Sequence, residues 1–247
     1  MRRCGILNQP LKQGGEDMPI GPGRPLALEK PCQIDIDQAA RYFGARQGSV
    51  DAATRALLET CAPPLLTAAA PRAVWLESDV AALSAAGILS GADVMKHLAG
   101  CDRAILLAVT LGPGADLQIR RAGVGDIAAG VASDALGSAL AEQAADAAEA
   151  TLRQLAAESG RYLTSRFSPG YGDWPISVQP LVAEALDAQR RIGLCVTGTD
   201  LLLPRKSVTA LLGVSDHPVK GHLAGCGHCA LHARCEYRKR GETCASQ

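Results

Sequence analysis

The stretch of this sequence best suited to bind a small ligand is ten residues long, Arg166 to Pro175. It reads Arg-Phe-Ser-Pro-Gly-Tyr-Gly-Asp-Trp-Pro, and three aromatic residues fall within eight positions of a chain that is only 3% aromatic. Gly170 and Gly172 can adopt positive φ without strain, and the prolines hold the backbone extended, so we predict a stiff, non-helical loop. Arg166 would offer a carboxylate a planar fork of donors, and Tyr171 a ring with a hydroxyl. The alternative is a tight turn closed by an aromatic plug.

A second group of reactive side chains lies near the C-terminus and comprises four thiols: Cys226, Cys229, Cys235 and Cys244. A Cys-x-x-Cys pair can bind one metal ion from a tight turn, and four thiolates complete a zinc site or hold an iron–sulfur cluster. The spacings after the first pair are not those of a common zinc module, and His228 and His232 are alternative ligands. A redox-active tail without a metal is the other interpretation.

Three further features could suggest chemistry but favour ordinary structural roles. His97 follows a predicted helix start and is interpreted as a hydrogen-bonded histidine rather than a ligand. Glu142 could be a catalytic carboxylate, but its helical spacing with charged neighbours favours a solvated face. The glycine-rich turn at 111–114 follows an apolar run, yet it lacks both the dinucleotide-binding pattern and the Lys-Ser/Thr of a phosphate loop.

Composition limits the classes of protein to which the chain can belong. Its 247 residues fit one domain, and 25 basic residues balance 25 acidic ones, so nothing indicates a nucleic-acid partner. No apolar run reaches the length of a membrane span, and the N-terminus lacks the apolar segment of a secretory signal. We therefore predict a cytoplasmic protein whose nine cysteines are reduced. Residues 1–30 are rich in glycine and proline and are predicted to be poorly ordered.

The elements that must position these residues follow from capping residues and hydrophobic periodicity. Helices are predicted to begin at Asp35 or Asp37, at Asp51, near Ser90, at Asp126 and at Ser177. The second helix should be interrupted or ended by the Pro63-Pro64 pair, whereas the fourth should run to about Glu158 as a core helix. Strands are predicted around 72–77, 103–110, 194–198 and 205–213.

The loop at Arg166 resembles the Arg-x-x-x-Gly-Tyr signature of the activation domain of cobalamin-dependent methionine synthase. It is still more similar to the stand-alone relatives of that domain, in which the loop commonly reads Arg-Phe-Ser-Pro-Gly-Tyr-Gly-Asp. Later residues follow the family's order as well: Ile192, Gly193, Thr197, Leu203, Pro204, Ser207 and Val208. The similarity runs from about Asp35 to Gly213, is densest from Arg166 onward, and extends to cysteine-containing tails in the stand-alone relatives.

The resemblance implies an α+β fold, a mostly antiparallel twisted sheet flanked by helices, over residues 31–218, followed by a Cys-rich tail at 219–247. It implies binding of S-adenosylmethionine (AdoMet), with Arg166 holding the methionine carboxylate while Tyr171 and the backbone of Pro169 and Gly170 line the ligand. The implied task is reductive remethylation of the cobalamin of a methionine synthase, acting in trans because no corrinoid-binding loop is visible here.

The partners implied are a corrinoid-binding methionine synthase and an electron donor such as flavodoxin or ferredoxin. Since the methyl group need only be held in line with the cobalt, catalysis would be by positioning. The chain would be the reactivation component of a methyltransferase and would not be catalytically complete alone. Two alternatives stay open: an activator of another corrinoid methyltransferase, and a metal or iron–sulfur accessory protein that has lost AdoMet binding.

Overall fold

The computed structural model describes residues 23–44 and 50–219. A five-stranded sheet contains β1 (Arg24–Leu26), β2 (Arg72–Asp79), β3 (Arg103–Thr110), β4 (Tyr162–Leu163) and β7 (Ser207–Ser215). A two-stranded hairpin consists of β5 (Cys195–Val196) and β6 (Leu202–Leu203). The α-helices of the described residues are α1 (Ile36–Phe43), α2 (Ala52–Ala68), α3 (Val80–Ala85), α4 (Ala92–His97), α5 (Pro113–Gly125), α6 (Ile127–Glu158), α7 (Gln179–Ala185) and α8 (Ala188–Ile192). A short 3₁₀ helix, Ile176–Val178, precedes α7.

The sheet is antiparallel throughout, in the order β1-β2-β3-β7-β4, which confirms the predicted α+β class. Its centre is β3, where Leu106 lies opposite Leu76 on one side and Leu211 on the other. Helices cover both faces of this strand. The continuous apolar run that predicts a strand at 103–110 therefore reflects burial on two sides, since successive side chains of a strand point to opposite faces.

Each face of the sheet has its own hydrophobic core. Ile105, Leu107 and Val109 of β3 pack with α1, α2, α5 and α6, whereas Ala104, Leu106 and Ala108 pack with α3, α4, α7 and α8. The first core is built around α6. Asp126 caps the start of this helix, because its carboxylate accepts from the Ala128 amide at 2.8 Å, and the helix runs to Glu158 as predicted. Its many buried alanines let neighbouring helices approach closely.

The predicted break at Pro63-Pro64 is wrong, because α2 continues through both prolines to Ala68. Each proline removes one helical hydrogen bond, which normally ends or kinks a helix. Here both rings are exposed, while Leu58, Ala62 and Leu65 bury the opposite side of the helix in the core. Packing of that apolar stripe outweighs the missing hydrogen bonds.

Three other sequence predictions differ from the structure. The strand predicted at 194–198 is confined to the β5–β6 hairpin and does not join the main sheet. The glycine turn after β3 starts an unpredicted helix, α5, with Pro113 at its first position and Gly112 before it at φ 77°. The sheet also begins within the segment 1–30 that was predicted to be poorly ordered, because β1 pairs there with β2.

No helix of the described residues is both long enough and apolar enough to cross a membrane.

Candidate functional site

The predicted stiff loop lies between β4 and the 3₁₀ helix and is held by hydrogen bonds within its own backbone. The Gly170 amide donates to the Trp174 carbonyl at 2.8 Å, and the Tyr171 amide donates to the Ser168 carbonyl at 3.1 Å. Gly170 and Gly172 have φ values of 95° and 54°, which glycine adopts without the steric cost that a Cβ brings. The loop contains no helix, as predicted.

Residues at the C-terminal end of the loop anchor it to the rest of the domain. Trp174 is 1% exposed, and its indole Nε1 donates to the Ile88 carbonyl at 2.8 Å. The Asp173 carboxylate accepts from the Ala92 and Asp93 amides at 2.6 and 2.9 Å, and so it caps α4. These two backbone hydrogen bonds hold the pKa of Asp173 below its ordinary value of 3.8.

This cap corrects the capping box predicted at Ser90 to Asp93. The residue that precedes α4 is Gly91, and its own segment supplies no side-chain cap. The cap comes instead from Asp173, about eighty positions further along the chain. Spacing rules for helix starts consider only neighbouring residues and cannot detect such a partner.

The first two residues of the loop direct their side chains to opposite faces of the sheet. Phe167 forms a bridge with Leu211 of β7 and lies in the core on the α4 and α7 side. Because adjacent residues of extended chain point in opposite directions, Arg166 faces the layer that contains α6. Phe167 also stacks on Trp174, with ring centroids 6.0 Å apart.

The Arg166 guanidinium meets three carboxylates of α6. Its Nη2 donates to Asp146 at 2.6 Å and to Glu142 at 3.2 Å, and its Nε lies 3.0 Å from a Glu149 oxygen. The Arg166 side chain is 16% exposed, and its Nη1 is buried without a hydrogen-bond partner in the part of the chain that the structure describes. Arg166 is therefore held within the protein while one donor of its fork stays unused there.

Glu149 bridges two arginines. One of its oxygens binds Arg166 and the other accepts from Arg153 at 2.5 Å. Arg153 in turn donates to the Leu163 and Thr164 carbonyls, each at 2.7 Å, and so ties α6 to β4 and the chain that follows it. The position of Arg166 is thus fixed by a chain of charged hydrogen bonds rather than by one contact.

Two tyrosines, one on α1 and one in the loop, are half exposed. Tyr42, near the end of α1, is 52% exposed, and Tyr171 of the loop is 53% exposed. Helix α1 packs against α6, and the Asp35 amide at its start donates to Gln143 at 3.1 Å. Burial raises the pKa of the Tyr42 hydroxyl, and the negative charge of Glu142 raises it further.

The four predicted binding residues occupy different positions around this site. Arg166 is engaged by the α6 carboxylates, and Tyr171 is half exposed, with its ring centroid 6.2 Å from that of Phe167. The Gly170 backbone is exposed, whereas Pro169 is buried and can contribute to a ligand site only by shaping the loop. Their roles in ligand binding stay predictions.

Sequence reasoning missed Tyr42, Asp146 and Glu149 as members of this group. A signal for the carboxylates was present, because positions 142, 146 and 149 lie on one face of a helix. That face was interpreted as solvated, and nothing in its spacing indicates an arginine from a later loop as its partner. Tyr42 carries no local signal at all, since only the packing of α1 on α6 brings it near.

His97 has the role predicted for it. It is fully buried, and its Nε2 lies 2.8 Å from the Thr164 hydroxyl and 2.9 Å from the Ser165 carbonyl. Its ring also packs against Phe167 at a centroid distance of 5.0 Å. His97 therefore supports the start of the loop through its contacts with Thr164, Ser165 and Phe167.

The predicted metal ligands Cys226, Cys229, Cys235 and Cys244 lie outside the described residues, as do His228 and His232. Within residues 23–44 and 50–219, no group of three or more His, Cys, Asp or Glu side chains is arranged to hold a metal ion. The metal prediction for the tail stays untested.

A separate cavity of about 230 Å³ lies beneath the C-terminal end of α6 and is lined by Arg153, Ala157, Gly160, Arg161, Tyr162 and Leu163. Its two guanidinium groups already have acidic partners, Glu149 for Arg153 and Asp102 for Arg161. The charge that could attract an anion there is therefore largely balanced.

Comparison with known proteins supports the fold rather than a detailed activity. No protein-family model and no curated protein sequence matches this chain. Among solved structures it is similar to the MetH reactivation domain bound to AdoHcy (S-adenosylhomocysteine), with a TM-score of 0.54 and 15% sequence identity. The match covers 85% of this chain and 82% of that one. At this identity the likeness shows a shared fold over most of the domain.

Proposed function

We propose that this protein binds AdoMet at the cluster around Arg166 and serves as a reactivation protein for a cobalamin-dependent methionine synthase in trans. The observation that carries the proposal is the buried Arg166 fork, held by three α6 carboxylates with one donor unused among the described residues. The shared fold with a reactivation domain bound to AdoHcy supports it.

The chemistry of the cluster fits the amino-acid end of AdoMet, which carries one carboxylate and one ammonium group. The Arg166 Nη1, which has no partner among the described residues, could donate to a carboxylate, and carboxylates accept hydrogen bonds from an ammonium group. Arg166 would bind the first, while Glu142 and Asp146, both partly exposed, would bind the second. Glu149, less exposed, would keep Arg166 in place.

The role of this chain in methyl transfer would be to hold and orient AdoMet. A corrinoid on the partner would supply the acceptor of the methyl group, and the chain's own residues would present that group in line. The partner class is therefore a corrinoid protein, methionine synthase first and another corrinoid methyltransferase second. An electron donor such as flavodoxin or ferredoxin belongs to the same proposal.

Isothermal titration calorimetry with AdoMet tests this function directly. We expect the wild type to bind, and Arg166→Ala to lose about 10- to 100-fold in affinity, the usual effect of removing a charged hydrogen-bond donor. Arg103→Ala is a matched control, because Arg103 also joins two carboxylates, those of Glu77 and Asp79, but lies on the sheet.

The ion pairs of Arg166 are also what a purely structural role would require, and the titration separates the two roles. A wild type that gives no heat at millimolar AdoMet would overturn the proposal and leave Arg166 as a structural residue. Equal loss of affinity in the Arg166 and Arg103 variants would show that the loss comes from general destabilisation.

The cysteine tail carries a second, independent proposal, a zinc ion or an iron–sulfur cluster held by Cys226, Cys229, Cys235 and Cys244. Protein purified without oxygen would then contain stoichiometric metal, with visible absorbance in the case of a cluster. Metal-free protein that binds AdoMet normally would exclude the accessory role and keep the first proposal.

A further inference from the structure

The turn between α5 and α6 carries an apolar surface that the fold leaves uncovered. Val124 and Ile127, on either side of this turn, are 90% and 81% exposed, the highest values among the large apolar side chains that the structure describes. Leu117 of α5 and Val131 of α6 are exposed as well. None of the four belongs to either hydrophobic core, so packing of the described residues does not explain why they are apolar.

Two arginines share this surface. Residues 117, 120, 121 and 124 of α5 follow the three- and four-residue spacing that places side chains on one face of a helix, and all four are exposed. Neither Arg120 nor Arg121 has an ion-pair partner among the described residues. The one acidic residue of the turn itself, Asp126, caps α6. We call this surface the hairpin tip and define it as Leu117, Arg120, Arg121, Val124, Ile127 and Val131.

The hairpin tip is rigidly supported, because the two helices approach closely behind it. A Cβ added to Gly130 of α6 would lie 2.6 Å from the Gly123 Cα of α5. Side chains at these positions would force the helices apart. The tip is therefore presented on a fixed scaffold, which limits the ordering entropy that binding of a partner costs.

Charge and size together argue against covering of the tip by this chain itself. Residues 1–22, 45–49 and 220–247, which lie outside the described residues, contain more lysine and arginine than acidic residues. In a symmetric dimer the same patch meets itself, so the arginines of one copy would approach those of the other. Four aliphatic side chains also fall far short of the roughly 20–30 residues that each side of a stable interface contributes. The occupant must therefore bring acidic side chains of its own.

The hairpin tip continues toward Arg166 along one face of α6. Val131 and Glu142 are separated by about three helical turns, so they lie on the same face about 16 Å apart. Glu142 is one of the carboxylates that hold Arg166. Between them, Arg205 is 69% exposed and lies 3.7 Å from Asp134 of α6. A protein lying along this face would reach the tip and the Arg166 cluster together.

We propose that the hairpin tip docks the corrinoid-carrying partner through a surface on that protein with acidic side chains around an apolar centre. This inference rests on the proposed function, which requires such a partner in trans, and it adds the surface that holds the partner. Exposed arginines steer an acidic protein toward the tip, and the aliphatic side chains add contact once it has arrived. An anionic membrane fits less well, because helices that lie on membranes bury Trp, Phe and Leu, and the tip has one leucine and no aromatic ring.

Biolayer interferometry with immobilised, cobalamin-loaded methionine synthase from the same organism tests the inference. We expect Arg120→Glu combined with Arg121→Glu to weaken binding by about 10-fold or more and to flatten its dependence on salt. Val124→Asp combined with Ile127→Asp should weaken binding by about 5- to 30-fold. Neither pair should change the affinity for AdoMet in calorimetry, because the tip does not touch Arg166.

Arg190→Glu and Leu155→Asp are matched controls for charge and for apolar surface. Arg190 is 79% exposed on α8, which packs on the opposite face of the sheet from α6. Leu155 is 42% exposed and belongs to α6, but its position in the helical repeat places it on a different side of the helix from Val131. Both variants should bind the synthase as the wild type does.

Tip variants that bind the synthase as tightly as the wild type would overturn the inference, while AdoMet binding by the same proteins keeps the proposed function. Loss of binding to phosphatidylserine vesicles, or dissociation of a dimer in sedimentation, in place of weaker synthase binding would also overturn it. These two results would identify a membrane or a second copy as the occupant. A wild type that binds neither AdoMet nor the synthase would overturn both the inference and the proposed function.

Discussion

The two ends of the loop at 166–175 differ in how they are held, although they are fewer than ten residues apart. At one end Trp174 is buried and Asp173 caps α4, so the contacts are apolar packing and backbone hydrogen bonds. At the other end Arg166 is held by charged groups of α6, and Tyr171 stays half exposed. We call these the anchored end and the open end.

The comparison shows that the two interpretations of the loop apply to different residues of it. Phe167 and Trp174 form the aromatic plug, stacked on each other in the core. Arg166 is paired with α6 carboxylates and Tyr171 is half exposed, and the binding role of both stays a prediction. A short loop can hold both kinds of residue because its tight backbone bends send neighbouring side chains to different faces.

Removal of the anchor should have the largest effect. Trp174→Ala removes a fully buried indole and should lower the free energy of unfolding by about 3–5 kcal/mol, measured by denaturant titration. Trp174→Phe keeps part of the packing and loses the hydrogen bond to Ile88, so its loss should be smaller. A loss below about 1 kcal/mol for Trp174→Ala would show that Trp174 does not anchor this end of the loop.

A smaller but still clear effect is expected where α4 meets the anchored end. At Gly91, φ is 116° and an added Cβ would lie 2.4 Å from Asp173 Oδ1 and 2.9 Å from the Asp173 carbonyl oxygen. Gly91→Ala should therefore lower the free energy of unfolding by about 2–3 kcal/mol through strain and displacement of the cap.

Gly160→Ala separates strain from displacement, because Gly160 has φ 68° and no atom within 4 Å of the added Cβ. Its cost should be about 1 kcal/mol, from the backbone conformation alone. Equal losses in the two variants, measured by thermal unfolding, would mean that the contact of Gly91 with Asp173 contributes nothing.

The smallest effect should appear as a dependence on pH. Since the folded-state pKa of Asp173 lies below its ordinary value of 3.8, the unfolded chain binds more protons in that range. The contribution of Asp173 is thus fully present above pH 3.8 and is lost as the pH falls through the lower, folded-state value. Asp173→Asn should flatten this part of the curve of stability against pH. A variant curve parallel to that of the wild type would show that the cap does not titrate.

The sequence predicted the elements whose signals are local. The strand at 103–110 and the helix from Asp126 to Glu158 agree with the structure because periodicity and capping are read from neighbouring residues. The stiff loop followed in the same way from its glycines and prolines. The resemblance to the activation-domain family supplied the sheet, which no periodicity in the sequence defines.

Features that depend on distant residues could not be predicted. Asp173 caps a helix about eighty positions earlier in the chain, and Arg166 finds its partners on a helix face that looked solvated. The prolines of α2 are tolerated because an apolar stripe elsewhere on the helix is buried. In each case tertiary packing overrides or completes a local signal.

The sheet order has a consequence for how the chain folds. The two central strands β3 and β7 are joined by side-chain and backbone hydrogen bonds between residues at least 97 positions apart, the separation of Thr110 and Ser207. Closing so long a loop costs chain entropy before any contact offsets it, and proteins dominated by such pairings fold slowly. The hairpin of α5 and α6 can form early from local contacts, whereas the middle of the sheet must await the last strand. Partially folded chains will therefore expose one edge of β3, and folding should be slowest at the step that covers it.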